Sequence, residues 1–139
     1  MKKLLLIFLF LSLIVNCYAQ SIAVEFREND KFINIIGKVF YTGDTLEMVT
    51  FAEIEGLNGA VSPYAFIYKI IEKESVKENL YHIKCQNQLG VIASGTLDLT
   101  NYANPKITLI TNRGMIITNI SEEGKKFKKK YLPKIDIGK

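Results

Sequence analysis

His82 and Cys85 are the residues whose types could do nucleophilic chemistry, because a thiolate beside an imidazole base is a familiar catalytic pair. His82 is the only histidine of the sequence, and Cys17 is the only other cysteine. Residues three apart on a β-strand point to opposite faces, so His82 and Cys85 cannot form a local dyad. The alternation predicts that Cys85 faces inward with Tyr81 and Ile83. His82 is then expected to face solvent, and we predict no catalytic residue and no enzyme.

Metal ligands are equally sparse. A zinc site needs three or four Cys, His or carboxylate ligands, and one histidine with one cysteine falls short. The acidic residues near turns, at positions 28–30 and at Asp44 and Glu47, lack the spacing of a calcium loop. Neither a phosphate-binding glycine loop nor a nucleophile elbow is present. The sequence therefore predicts no metal and no cofactor, and an enzyme would require a pocket that joins His82 to Asp98 or Asp44.

An aromatic stripe is the first feature suited to binding. Tyr64, Phe66 and Tyr68 alternate along one predicted strand and so share one of its faces. Such a stripe can stack on sugars or on the apolar side chains of a partner, and these three residues are candidate binding residues. The alternative is a stripe that belongs to the core, with the tyrosine hydroxyls reaching its rim.

A run of lysines near the C-terminus is the second such feature. Its candidate binding residues are Lys125, Lys126, Lys128, Lys129 and Lys130. If this segment is helical, Phe127 and Tyr131 share a face that would dock onto the domain or sit at a membrane interface. Lysines close to an anionic surface each contribute about 1 kcal/mol of attraction. We expect the tail to bind anionic lipid or lipopolysaccharide, and the alternative is a solvated, disordered tail.

The distribution of charge separates this tail from the rest of the chain. Residues 20–121 hold nine Lys and Arg against eleven Asp and Glu, whereas residues 122–139 hold seven Lys against three acids. The basic isoelectric point of about 9.0 therefore belongs to the tail. An acidic body without a basic groove argues against a nucleic-acid partner. The partner that we expect is an envelope protein or a glycan.

Residues 1–19 have the pattern of a secretory signal peptide: a basic start, a twelve-residue apolar stretch, and small residues before Gln20. The apolar stretch is shorter than the roughly 20 residues that span a bilayer. A lipoprotein acylated at Cys17 is the alternative, but it would put Asn16 where a small residue is wanted. We therefore expect an exported protein of the bacterial cell envelope, periplasmic or extracellular, with one remaining cysteine and no internal disulfide.

The body of the chain has the pattern of an all-β domain. Short apolar and β-branched runs alternate with turns rich in Asn, Gly and Pro, and no long helical period is present. We predict one domain at residues 20–121, with strands near residues 22–27, 32–41, 45–54, 64–73, 79–86, 90–99, 106–111 and 115–120. Ser62-Pro63 is expected to interrupt the chain before the fourth strand. Asn119, three residues before Glu122, could cap a short helix at the start of the tail.

Eight antiparallel strands of this length can form either a two-sheet sandwich or a closed up-and-down barrel. Two of the predicted strands are apolar on both faces. Ile33, Ile35, Ile36, Val39 and Phe40 do this in the second, and Phe66, Ile67, Ile70 and Ile71 do it in the fourth. Burial on both faces favours strands with a layer on each side, so we predict a sandwich of seven to eight strands, with the barrel as the alternative.

Residues 37–56 add a resemblance to a known family. Gly37-Lys38-Val39-Phe40, then the Thr42–Leu46 hairpin, then a strand from Val49 to Ile54 and Gly56, resemble the opening of carboxypeptidase regulatory-like (prealbumin-like) domains of exported bacterial proteins. Near residues 58–66 the chain departs from the acidic turn of that family. The resemblance implies a seven-stranded immunoglobulin-like sandwich without catalytic residues, acting as an accessory or docking module.

Two functions from different classes follow. The first is an exported, non-catalytic binding or structural module of the cell envelope, with the basic tail as an electrostatic tether. The second is a small lipocalin-like carrier of an apolar ligand. A filled core would favour the module, and a large apolar pocket would favour the carrier.

Overall fold

The structure, a computed structural model, describes residues 20–57, 59–135 and 137. The predicted signal peptide and the alternative lipoprotein junction at Cys17 lie outside the described residues. Eight strands and one helix follow one another in the order β1 (Gln20–Glu28), β2 (Lys31–Tyr41), β3 (Thr45–Glu53), β4 (Val61–Lys77), β5 (Leu80–Gln86), β6 (Ile92–Asp98), β7 (Lys106–Thr111), β8 (Ile116–Asn119) and α1 (Glu122–Tyr131).

The strands form one closed, antiparallel, up-and-down barrel. Each strand pairs with the next along the chain, and β1 closes the sheet by pairing with β8, from Val24 opposite Asn119 to Arg27 opposite Ile116. The all-β prediction with a short C-terminal helix is confirmed. The preferred sandwich is wrong, as is the sandwich that the resemblance implies, and the alternative barrel is the observed fold.

The reason for the wrong choice lies on the outer faces of β2 and β4. Ile36 of β2 is fully buried beneath α1 and packs against Phe127, so its second covering layer is a helix. On β4, Ile67 and Ile71 point outward and remain half exposed, so nothing covers that face. Apolar residues on both faces of a strand therefore did not indicate a second sheet.

The barrel interior is packed by residues that alternate along every strand. Its fully or almost fully buried members are Ile22, Val24, Phe26, Val39, Leu46, Met48, Tyr68, Ile83, Cys85, Ala93, Leu97, Ile107, Leu109 and Ile117. Gly95 also faces this interior, and a Cβ there would come within 1.9 Å of the Thr108 carbonyl oxygen of the neighbouring strand. The glycine thus permits the close approach of β6 and β7 that a small, strongly coiled barrel requires.

Short hairpins set the register of the barrel. Asn29 and Asp30 join β1 to β2 with φ values of 50° and 60°, the backbone that a two-residue type I′ turn demands and that Asn and Asp tolerate. The turn between the strands predicted near residues 22–27 and 32–41 is confirmed. β4 differs from its prediction because it begins at Val61 and includes Pro63, which pairs with Phe51 of β3.

Pro63 fits within β4 because β5 does not reach this part of the strand. The pairing of β4 with β5 begins only at Lys69. The amide of Ile67, four residues after Pro63 and therefore pointing the same way, meets the side chain of Gln88 instead of a strand. The missing N–H of Pro63 therefore points away from the ladder with β3, so no hydrogen bond is lost.

Helix α1 packs on the outside of the barrel. Phe127, Leu132 and Ile137 form a second buried cluster with Ile36 of β2. The helix begins after Ser121, whose side chain accepts a hydrogen bond from the Gly124 amide at 3.4 Å. The predicted cap, Asn119, is wrong: its side chain accepts from the Ile107 amide at 2.8 Å and donates to the Pro105 carbonyl at 3.0 Å.

Candidate functional site

Four connections lie at one end of the barrel, which we name the open end. In an up-and-down meander every second connection falls at the same end, and here these are residues 29–30, 54–60, 87–91 and 112–115. The other end carries residues 42–44, 78–79 and 99–105. Residues far apart in the sequence are therefore brought together around each opening.

A cavity of about 330 Å³ lies inside the open end, and we name it the mouth pocket. It is lined by Phe26, Ile35, Thr50, Ala52, Tyr64, Phe66, Tyr68, Asn87, Leu89, Val91, Thr111, Arg113 and Met115. Most of these side chains are apolar or aromatic, and they come from β1, β2, β3, β4 and β7 and from the two connections after β5 and β7. The packed core ends beneath this pocket.

The predicted aromatic stripe lines the mouth pocket. Tyr64, Phe66 and Tyr68 lie opposite Thr50, Met48 and Leu46 of β3, all on the inner face of the barrel. Exposure decreases along the stripe, from 52 % at Tyr64 on the rim to 5 % at Tyr68 on the floor. The stripe therefore forms one wall of a concave site near the rim and continues into the core at its other end. The binding stripe and the core stripe, which the sequence left as alternatives, each describe part of its length.

The floor of the pocket carries a satisfied polar pair. Burial raises the pKa of the Tyr68 hydroxyl, and a hydrogen bond with the Asn87 side chain opposes that rise. Asn87 is itself buried, and its side-chain oxygen accepts hydrogen bonds from the amides of Leu89 at 2.9 Å and Val91 at 3.0 Å. These bonds fix the β5–β6 connection over the pocket and hold Leu89, 70 % exposed, at its rim.

Gln88 closes the side wall where β4 and β5 are unpaired. Its side-chain oxygen accepts a hydrogen bond from the Ile67 amide at 3.2 Å, and its side-chain amide donates to the Ala65 carbonyl at 3.5 Å. The side chain therefore takes the place of a missing strand residue. A second hollow of about 550 Å³ lies beside this point, between Ile67 and Gln86, but on the outer surface of the barrel.

Lys73 contacts two tyrosines at the opposite end of the barrel. The Lys73 ammonium lies 4.3 Å from the centre of the Tyr81 ring and 5.3 Å from that of Tyr41, and it donates a hydrogen bond to the Tyr41 hydroxyl at 2.6 Å. A cation held between two aromatic faces is a favourable contact. Lys73 and these two tyrosines therefore form an exposed contact at the end of the barrel that lies opposite the mouth pocket.

His82 and Cys85 lie on opposite faces of β5, as predicted. Cys85 is fully buried, its thiol donates to the Ala93 carbonyl at 3.3 Å, and burial raises its pKa to about 12. His82 is exposed, and its Nδ1 lies 3.5 Å from the Thr96 hydroxyl. The Asp98 carboxylate accepts from the Thr100 hydroxyl, a hydrogen bond that lowers the pKa of Asp98. The Cys85 thiol stays protonated at neutral pH because its pKa is raised, and a protonated thiol is a poor nucleophile.

Clusters that could hold a metal ion were sought among residues 20–57, 59–135 and 137. Within these residues, no three His, Cys, Asp or Glu side chains come together in such a group. The predicted absence of metal and cofactor stays a prediction, as does the absence of catalysis.

The candidate lysines all lie on α1. Lys125, Lys126, Lys129 and Lys130 are exposed, whereas Lys128 is partly buried. Lys125 forms an ion pair with Glu122 at 3.1 Å, and the Lys130 ammonium lies 5.0 Å from the Tyr131 ring. The structure therefore presents the lysines on a helix docked outside the barrel, whereas the aromatic stripe lies on the inner face of the barrel. Within the described part of the chain, no helix has the length and apolar character needed to cross a membrane.

Comparison with known proteins finds no family model that matches the sequence, no similar curated protein and no similar solved structure. The prealbumin-like resemblance of residues 37–56 stays a prediction.

Sequence reasoning missed the pocket residues that lie outside the stripe. Asn87 and Arg113 lie between predicted strands, and nothing in their local sequence marks them as pocket residues. The available signal was the topology: in a closed meander, the turns at residues 87–91 and 112–115 must share an end with the rim of β4.

Proposed function

We propose that the chain is an exported, non-catalytic binding protein whose barrel takes up a small apolar molecule in the mouth pocket. The observation that carries this proposal is an apolar cavity of about 330 Å³ that the aromatic stripe lines above the packed core of the barrel. Ligand pockets in proteins range from about 300 to 1,000 Å³, so this one suits a small ligand or one apolar chain.

Two exposed, largely apolar side chains at the rim support uptake of an apolar ligand. Tyr64 and Leu89 both line the rim of the pocket and are 52 % and 70 % exposed. Each square ångström of apolar surface that a ligand removes from water contributes about 25 cal/mol, so closing the rim over an apolar ligand is favourable. The polar pair on the floor, Tyr68 and Asn87, is internally satisfied and requires no polar atom from the ligand.

A bulky side chain placed in the pocket tests the proposal. Ala52→Trp fills the mouth pocket from β3, whereas Ala65→Trp places the same side chain on the exposed outer face of the adjacent strand, β4. The probe is decanol, titrated by calorimetry into each variant after circular dichroism has shown that both fold. We expect Ala52→Trp to weaken decanol binding about tenfold or more, and Ala65→Trp to leave it unchanged.

Equal binding of decanol by the two tryptophan variants would place the ligand elsewhere. No binding by the unchanged protein would contradict the proposal altogether.

A second function, attachment to an anionic lipid surface, is favoured by the lysines of α1. Because Phe127 packs down onto the barrel, Lys126, Lys129 and Lys130 face solvent together on one side of a folded element. Attraction of this kind is screened as the Debye length falls from about 30 Å at 0.01 M salt to about 8 Å at 0.15 M.

The tether is tested with phosphatidylglycerol vesicles, and phosphatidylcholine vesicles serve as the neutral comparison. Replacing Lys126, Lys129 and Lys130 by Gln should abolish binding to the anionic vesicles, and raising the salt should weaken binding by the unchanged protein. The control replaces Lys31, Lys69 and Lys77, three exposed lysines of the barrel, by Gln. Equal loss in both triple variants would show that net charge, and not the helix, determines binding.

A further inference from the structure

Arg113 stands out among the residues of the mouth pocket. It occupies the tight β7–β8 turn between Asn112 and Gly114 and is exposed at the rim. Of the described residues that line the pocket, it is the one that carries a charge. Among the residues that the structure describes, it has no hydrogen-bond or ion-pair partner.

The other arginine of the chain shows what a structural role looks like in this fold. Arg27 donates to the buried Glu25 carboxylate at 2.6 Å and lies 3.6 Å from Glu123 of α1. The Glu25 carboxylate in turn accepts from the Ser121 amide at the start of the helix. Arg27 thus connects α1 to β1 through its ion pairs, whereas Arg113 forms no such pair with a described residue.

We propose that the mouth pocket binds a single-chain amphiphile with an anionic head group, and that Arg113 binds the head. This inference rests on the proposed function and adds the ligand class to it. A guanidinium presents several donors in a planar fork that matches a carboxylate or a phosphate, and such charge-assisted hydrogen bonds are stronger than neutral ones. The position of the charge at the rim, above an apolar wall and a satisfied floor, orients the ligand with its chain inward and its head in solvent.

Three probes with the same chain test the head group: decanoate, decyl phosphate and the neutral decanol, each below its micelle concentration. They are titrated by calorimetry into the unchanged protein and into the variant Arg113→Gln, which removes the charge and keeps a polar side chain. The control is Lys106→Gln, which makes the same change of net charge at the opposite end of the barrel, where β7 begins. Because Arg113 is exposed and unpartnered, its replacement should leave the melting temperature unchanged.

We expect the unchanged protein and Lys106→Gln to bind decanoate about tenfold more tightly than decanol, and Arg113→Gln to bind the two equally. Tighter binding of decyl phosphate than of decanoate would identify phosphate as the preferred head. Equal affinity for decanol and decanoate in the unchanged protein would overturn the role of Arg113 and leave the apolar pocket standing. If the unchanged protein bound none of the three probes, both proposals would be overturned.

Discussion

Replacing Phe127 by Ala should destabilise the whole protein, although Phe127 lies in the basic segment after the last strand. The Phe127 side chain is 6 % exposed. Its ring meets Phe32 edge-to-face, with centroids 5.7 Å apart, and packs at 4.8 Å against Tyr131. It also covers Ile36, which is fully buried on the outer face of β2.

The expected loss is about 3 kcal/mol of unfolding free energy. Removing a buried phenylalanine costs about 3–5 kcal/mol, and the lower end applies because the cluster at α1 is small. Alanine is the better helix former by roughly 0.5 kcal/mol, which offsets only a small part of the loss. With a urea dependence of about 1.5 kcal/mol per molar, the midpoint of unfolding should fall by about 2 M.

The assay is urea unfolding followed by near-ultraviolet circular dichroism, which reports the fixed packing of aromatic side chains and not the helical backbone. Lys129→Ala is the matched control, because it lies on the same helix but is exposed and should change stability by less than about 0.5 kcal/mol. Equal midpoints for Phe127→Ala and Lys129→Ala would refute the reasoning, since they would show that α1 contributes nothing to the stability of the barrel.

Two further predictions concern buried groups. The Cys85 thiol should react with an alkylating reagent far more slowly in the native protein than in urea. Burial raises the pKa of this thiol from 9.0 to about 12, so the stability that the protonated thiol contributes should be complete below pH 9 and should be lost as the pH rises towards 12. Cys85→Ala should flatten that decline of the unfolding free energy with pH. Equal alkylation rates would contradict its burial. Gly124→Ala should lower the melting temperature, although alanine has the better helix propensity. A Cβ at this position would lie 2.8 Å from Ile120 Cγ1 and 2.9 Å from the Glu25 carboxylate. A higher melting temperature would show that the junction between α1 and β1 adapts freely.

The strands were predictable because their signals are local. Alternation along β5 placed Cys85 inside and His82 outside, and the residues of the β1–β2 turn predicted its hairpin. The start of β4 was not predictable in this way, because Pro63 is tolerated only where β5 leaves the edge of β4 unpaired. That condition depends on the stagger of two strands around the barrel, which no local pattern contains.

The choice between sandwich and barrel depended on what covers the outer face of β2. Ile36 requires a cover, and an apolar strand is equally well covered by a sheet or by a helix. The segment that covers it was regarded as a tether because of its lysines, although Phe127 within it had the spacing for docking. Charge and burial on a helix of ten residues are compatible because they occupy different sides of the helix.

The candidate site was predictable only as far as it lies on one strand. Tyr64, Phe66 and Tyr68 share a face by simple alternation, so the stripe was visible in the sequence. Arg113 belongs to the same site only because the meander closes, which brings the turn after β7 to the end of the barrel where β4 begins. Had the strands formed two stacked sheets, no closed mouth would join this turn to the stripe. The ligand proposal therefore depends on barrel closure, and the β1–β8 ladder from Val24 to Arg27 is the pairing that the proposed function requires.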